Sequence, residues 1–421
     1  MVVMTVTGET VYAHHPDTQL AMASLTKLYV SAAGLTALGP DFHFQTRVHA
    51  LGPVQGGSVP GIGIIGGGSP CLDEHHTDKQ PDLIFVNWAN QLKQAGITRI
   101  DGDVVIDNRL FSGPDKPATY PQDHLNQQKW YSAPASAFAW NDNCIEARAL
   151  PTAIGQPAQV EVRPRSNRIA ITNSCTTDAK GRVYFSRAEG SNGVRVSGKC
   201  AKETAWNPMA IHTDADLLAG DHCAAVLSDH GIAITGHVRL GAVPPTGALL
   251  IDQRDPLLPA INILNSRSQN FYGEQLIRVL ASERGQPGSI EAGSATVREV
   301  LGTELGLNLD HWTIVDGSGL SYENSASARS VAELLAAMAA SPHGLDYRHS
   351  LKEKWSGKTR GWVKTGSLSI SRCLAGFVEG PGDRDYVFAI LLNRADAKSI
   401  GWASGIRDRL FTTIAGLAAG S

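Results

Sequence analysis

The sequence predicts an α+β protein in which one strand-and-helix domain is interrupted by a long, largely β insert. Three observations predict it. Helical periodicity concentrates at the two ends of the chain, short β-prone runs broken by Gly, Pro, Asn and Asp fill the middle, and two strands followed by a helix close the sequence. At 421 residues the chain is too long for one small core, so two or three domains are expected. The simplest partition is a discontinuous domain of residues 1–45 and 251–421, with residues 46–250 as inserted β-rich domains, one or two in number and nested.

The opening "VVMTVTGETVYAHHP" alternates like a hairpin around Thr7, Gly8 and Glu9, and "MASLTKLYVSAAGLTALGP" follows as an apolar helix. From Phe42 to Leu250 the strand-like runs include "GDVVIDNRLFSGP", "AQVEVRPRSNRIAITN" and "GRVYFSRAEGSNGVRVSG", with one amphipathic helix, "PDLIFVNWANQLKQAG", among them. Helical periodicity returns in "QNFYGEQLIRVLASERG", "SIEAGSATVREVLGTELG" and "SASARSVAELLAAMAAS". The strands "CLAGFVEG" and "DYVFAILLNR", joined by "PGDR", and the helix "SGIRDRLFTTIAGLAAG" complete the chain.

With 42% hydrophobic and 18% charged residues the composition is that of a soluble globular protein, and a net charge of −3 gives no basic field for nucleic acid or anionic membrane. No apolar run approaches the length of a membrane span. The N-terminus has no n-region, h-region or cleavage site, so no signal peptide is expected. Six scattered cysteines show no zinc spacing. Cys175 and Cys200 flank a β-hairpin region, which leaves a disulfide open in an oxidising compartment; isolated buried thiols are the reading for the rest.

Some motifs are decoys. "GIGIIG", Gly61 to Gly66, matches a dinucleotide-binding pattern, yet no helix follows to aim its N-terminus at a pyrophosphate, so a glycine-rich strand and turn is expected. "DEHHTD", Asp73 to Asp78, lacks H-E-x-x-H and reads as a solvated loop, so no metal is expected. There is no G-x-S-x-G elbow.

Three other strings are informative together: Ser24-Leu25-Thr26-Lys27, Ser268-Gln269-Asn270 and Lys364-Thr365-Gly366. Each alone has a bland reading, since Ser24 and Ser268 could merely cap helices and Lys27 and Lys364 could be solvated. Their order is harder to dismiss: S-x-x-K opens a helix, S-x-N opens another, and K-T-G ends a strand near the C-terminus. A serine hydroxyl is a poor nucleophile, and a base one helical turn away can take its proton. Lys27 can act so only if burial and a second cation, Lys364, depress its pKa. The backbone N–H of Ser24, with that of Ser367, would form an oxyanion hole, and Gly366 lets the strand approach closely.

With these motifs the chain resembles the class C low-molecular-mass penicillin-binding proteins, the D-alanyl-D-alanine carboxypeptidase/endopeptidase family. Supporting stretches are "GITRIDGDVVIDNRLFSGP", "WYSAPASAFAWNDNCIEARALP", "NSRSQNFYGEQLIRVLA", "VDGSGLSYENSASARSVAELL" and "VKTGSLS". The resemblance implies a β-lactamase/transpeptidase-like domain, an antiparallel sheet with flanking helices, that hydrolyses peptidoglycan stem peptides without a cofactor and is acylated by β-lactams. It implies that Ser24 attacks the penultimate D-alanine carbonyl with Lys27 as base, and that Ser268 relays a proton to the leaving nitrogen. Asn270 would hold the substrate amide and Lys27, Lys364 would polarise the network, and Thr365 would bind the terminal carboxylate. Gly366, Ser367 and Ser369 then belong to the substrate strand, and Tyr131 and Tyr322 to the peptide-binding surface. An extracytoplasmic location, periplasm or cell envelope, follows from the resemblance alone.

Departures bear on specificity. Tyr322 stands where some members have an arginine, and Asn126 where an acidic partner precedes the aromatic Tyr131. A β-lactamase or esterase on the same scaffold, and a non-catalytic envelope-binding protein, are the competing expectations; oligomeric state is not legible.

Overall fold

The computed structural model describes residues 1–380, 384–394 and 400–419. They form two compact units: Met1–His43, Pro117–Tyr120 and Pro256–Ser421 make the first, and Phe44–Lys116 with Pro121–Asp255 the second.

The first unit is built on a six-stranded antiparallel sheet. Its strands are β1 (Val2–Thr5), β2 (Thr10–Ala13), β3 (Lys352–Ser356), β4 (Thr359–Leu368), β5 (Ser371–Val378) and β6 (Tyr386–Asn393). They lie in the order β2-β1-β6-β5-β4-β3, so the N-terminal hairpin is stitched to the C-terminal strands through Val3 opposite Phe388. Successive side chains of a strand point to opposite faces. On β5, Leu374 and Val378 face the closing helix α6 (Gly401–Ala418), where Phe411, Ile414 and Ala418 complete a buried cluster with Val363, Phe388 and Ile390. Burying Phe411 alone is worth about 2 kcal/mol. Phe377, of the alternate set, meets Tyr347, whose hydroxyl donates to the Leu28 carbonyl.

Leu28 belongs to α1 (Thr26–Leu38), every residue of which from Thr26 to Leu35 is buried. A helix enclosed on all sides is a central one, and here it packs against α2 (Leu257–Ser266), α3 (Asn270–Glu283) and α4 (Ile290–Thr303). Helix α5 (Ala328–Ala340), capped by the Ser327 hydroxyl on Ser330 N, covers β1, β5 and β6. Close packing is enforced by small residues: a Cβ on Gly293 of α4 would sit 2.2 Å from the Ile277 carbonyl oxygen.

The second unit has two cores. One joins a five-stranded sheet, including Ile62–Ile65 and Val104–Asp107, to the helices Leu83–Gln94 and Ala215–Asp229 around Ile64, Phe85, Trp88 and Val226. The other surrounds Ile145, Val194, Val196 and Met209 in two smaller sheets.

Several expectations are corrected. The insert was expected to hold one helix, but Ala215–Asp229 is a second; its stripe is masked by buried His222, which is fixed by Asp82 and by Arg165 N–H. K-T-G lies inside β4 rather than at its end, because the ladder to β5 continues to Leu368 opposite Ser371. The "DEHHTD" loop is not a solvated one: Asp73 is fully buried and accepts from the backbone N–H of His75 and His76 and from the His76 ring. Cys175 and Cys200 are both free thiols. "GIGIIG" does contain a strand, Ile62–Ile65. Of the "PGDR" connection, Pro381, Gly382 and Asp383 lie outside the described residues.

Candidate active site

Ser24 sits in a single 3-10 turn, Ala23–Leu25, that feeds directly into α1, and its side chain stays partly exposed while its neighbours are buried. The turn is held by Thr26 Oγ1 donating to the Ala23 carbonyl at 2.8 Å, and Ala23 takes a left-handed φ of 50°. Backbone approaches the turn from two sides. A Cβ on Gly319, itself at φ 81°, would lie 2.1 Å from the Ala23 carbonyl oxygen, and one on Gly366 of β4 would lie 2.7 Å from that of Met22. Glycine at 366 therefore serves first to bring β4 against the turn that carries Ser24.

Three residues on, Lys27 is fully buried and makes three contacts: Ser24 Oγ at 3.3 Å, Asn270 Oδ1 at 2.8 Å and the Ser318 carbonyl. A neutral amine has two N–H donors and one lone pair. Asn270 Oδ1 and the Ser318 carbonyl can only accept, so they consume both donors and leave the lone pair facing the Ser24 hydroxyl. Burial lowers the Lys27 pKa to about 7, against an upward pull from the Asp316 and Glu274 carboxylates. Of the two expected causes, burial does depress Lys27, but the repulsion falls instead on Lys364, which burial first and the charge of Lys27 second hold well below the ordinary lysine value.

Lys364 is 1% exposed on β4 and donates to Ser268 Oγ at 2.7 Å and to the Thr365 carbonyl at 3.0 Å. Ser268 precedes α3 with a left-handed φ of 61°, so its hydroxyl is aimed by the backbone and caps no helix end in the structure. The pleat of β4 then buries Gly366 and exposes Thr365 and Ser367. Tyr322 and Ser369, both exposed, share a hydrogen bond of 2.7 Å. Tyr131 belongs to the other unit, where its hydroxyl donates to Asn126 Oδ1 at 2.6 Å.

The sequence reading missed the loop that supports Lys27. In Asp316–Ser321, one Asp316 carboxylate oxygen accepts from Ser318 N and Gly319 N, and the other from Ser321 N. Burial first, then Glu274, raises the Asp316 pKa, while the N–H groups of Ser321 and Gly319 and the nearby Lys27 oppose the rise. Gly317 donates to Glu274 Oε1 at 3.0 Å, and a Cβ on either Gly273 or Gly317 would strike the other's carbonyl oxygen, at 2.2 and 2.0 Å. The available signal was the glycines of "DGSG" and "YGEQ", two stretches far apart in the sequence.

The sequence profile of the D-Ala-D-Ala carboxypeptidase 3 (S13) family matches residues 1–405. The chain belongs to that family. S13 membership makes it a D-alanyl-D-alanine carboxypeptidase, a serine-type hydrolase, and does not favour the β-lactamase or non-catalytic alternatives. Among S13 relatives, a D-alanyl-D-alanine carboxypeptidase of Actinomadura sp. (strain R39) is 28% identical over 428 residues, covering 93% of this chain and 77% of that protein. The fold matches penicillin binding protein 4 (dacB) from Haemophilus influenzae with a TM-score of 0.78 at 21% identity, covering 98% of this chain and 95% of that one. It also matches the penicillin G acylated Bd3459 endopeptidase of Bdellovibrio bacteriovorus with a TM-score of 0.54 at 14% identity, covering 99% and 92%. These likenesses show that the chain shares the mixed helix-and-sheet fold of those two proteins. Among the described residues, no helix is long and apolar enough to cross a membrane.

Proposed function

We propose that this S13 enzyme removes the terminal D-alanine of peptidoglycan stem peptides through an acyl-enzyme on Ser24, and that cleavage of D,D-cross-links is the endopeptidase form of the same reaction. The supporting observation is the placement of Lys27 Nζ 3.3 Å from Ser24 Oγ while its other two partners, Asn270 Oδ1 and the Ser318 carbonyl, can only accept, so that in the neutral amine the lone pair is left for Ser24.

In this reading Lys27 Nζ takes the Ser24 proton as Oγ attacks the penultimate D-alanine carbonyl. The N–H groups of Ser24 and Ser367 hold the resulting oxyanion; removing such a donor costs about 3 kcal/mol. The tetrahedral intermediate collapses, the C–N bond breaks, and the leaving nitrogen receives a proton relayed by Ser268. Because Lys364 donates to the Ser268 oxygen, the hydroxyl proton of Ser268 is left to point elsewhere, which suits that relay. Thr365 and Ser367, exposed on β4, bind the terminal carboxylate, while Asn270 holds the substrate amide. Gly366, Ser369 and Tyr322 shape the peptide surface. Water then attacks the ester and frees Ser24. β-Lactams enter as substrate mimics, and the substrate places the enzyme outside the cytoplasm. Residues 46–250, apart from Pro117–Tyr120, form two nested accessory domains in this scheme.

The test is a Ser24→Ala variant, assayed by fluorescent-penicillin labelling and by D-alanine release from diacetyl-Lys-D-Ala-D-Ala. Both should vanish while thermal stability is retained. A covalent label that persists on the variant removes Ser24 from the nucleophile's role.

A further inference from the structure

We infer that Tyr120 is a positioning residue for the acylation base, acting through the hydroxyl of Ser318. The inference rests on the reading of Lys27 as that base. Tyr120 ends a four-residue segment, Pro117–Tyr120, that belongs to the catalytic unit although the residues on either side of it in sequence belong to the other. Its side chain is 5% exposed, and its hydroxyl lies 3.0 Å from Glu274 Oε1 and 2.9 Å from Ser318 Oγ.

Proton bookkeeping gives these contacts one direction. Glu274 faces Arg278 across 3.4 Å and as a carboxylate can only accept, so the single Tyr120 proton goes to it. Tyr120 Oη must then accept from Ser318 Oγ–H. Ser318 Oγ in turn accepts from Leu320 N–H at 3.2 Å, which uses the hydroxyl as donor once and as acceptor once. Ser318 is fully buried, its N–H is tied to Asp316, and its carbonyl receives a proton of Lys27. The chain of contacts Glu274–Tyr120–Ser318–Lys27 therefore fixes the rotation of the peptide that occupies one of the two Lys27 donors, and so the direction of the Lys27 lone pair.

A hydroxyl is needed here for its ability to donate to one group and accept from another at once. Tyr120→Phe keeps the ring and removes that ability. The expected result is an acylation rate constant with benzylpenicillin about tenfold lower, with the dissociation constant of the preceding non-covalent complex unchanged and the melting temperature within a few degrees of the parent. Ser318→Ala, which keeps the carbonyl but deletes the hydroxyl, should show the same rate-only defect. The double variant should be no slower than the slower single variant, because both changes cut one chain.

Parental acylation by Tyr120→Phe overturns the inference, as does a defect confined to binding, or losses that multiply in the double variant. If Tyr120→Phe folds poorly, Ser318→Ala decides: a parental rate there is equally fatal. Ser24→Ala and Lys27→Met run alongside. Acylation surviving in either of these refutes the underlying reading, an outcome distinct from a failure of the Tyr120 chain.

Discussion

If Lys27 must be neutral to accept the Ser24 proton, acylation should titrate with it. A pKa lowered from 10.5 to about 7 corresponds to on the order of 5 kcal/mol of preference for the neutral amine over its exposed counterpart. At pH 6 roughly a tenth of the enzyme then carries a competent base, at pH 7 half, and at pH 8 about nine tenths. The rate constant for acylation by a saturating fluorescent penicillin, measured by stopped flow, should rise about tenfold between pH 6 and pH 8 and then level. Stability is linked to the same proton. The folded state binds fewer protons than the unfolded chain between about pH 7 and 10.5, so the Lys27 contribution rises with pH across that window and falls as pH drops back to 7. An acylation rate that is flat from pH 6 to 8, or that keeps rising toward pH 10 with an exposed lysine's midpoint, would refute the assignment of burial as the cause.

Asp316→Asn removes a carboxylate that pulls the Lys27 pKa up, so the acylation midpoint should move to lower pH. The same change turns one acceptor against Ser321 N–H, costing about 1–3 kcal/mol, which a melting curve reads as a drop of several degrees. Gly366→Ala places a methyl 2.7 Å from the Met22 carbonyl oxygen and pushes β4 off the turn that carries Ser24, so acylation should slow on the order of a hundredfold; parental kinetics would show that β4 has room to spare. Ser268→Ala takes from Lys364 its 2.7 Å side-chain partner, and peptide turnover should fall more than β-lactam acylation if the relay to the leaving nitrogen is its main task.

The helices with a clean apolar stripe, such as Leu83–Gln94 and Ala328–Ala340, were legible because burial on one face leaves a period in the sequence. Ala215–Asp229 was not, since Gly220 is needed for contact with Val238 and Ile106, and a buried histidine interrupts the stripe. The five polar residues of the proposed site were nameable because three short motifs carry them. Their supports could not: Asp316 and Glu274 are acids enclosed by tertiary packing, and no local spacing announces an enclosed acid. Burial of Lys27 was expected, but spacing could not tell that burial outweighs any repulsion from Lys364, because that depends on how completely α1 is wrapped.

Around Ser24 the chain meets itself main chain to main chain, with Gly273 against Gly317, Gly319 against Ala23 and Gly366 against Met22. Such a floor has no side chains to trim or enlarge. Under the proposed mechanism, substitutions that slow acylation by β-lactams without unseating the Ser24 turn are therefore expected at Thr365, Ser367, Ser369 and Tyr322, which face solvent.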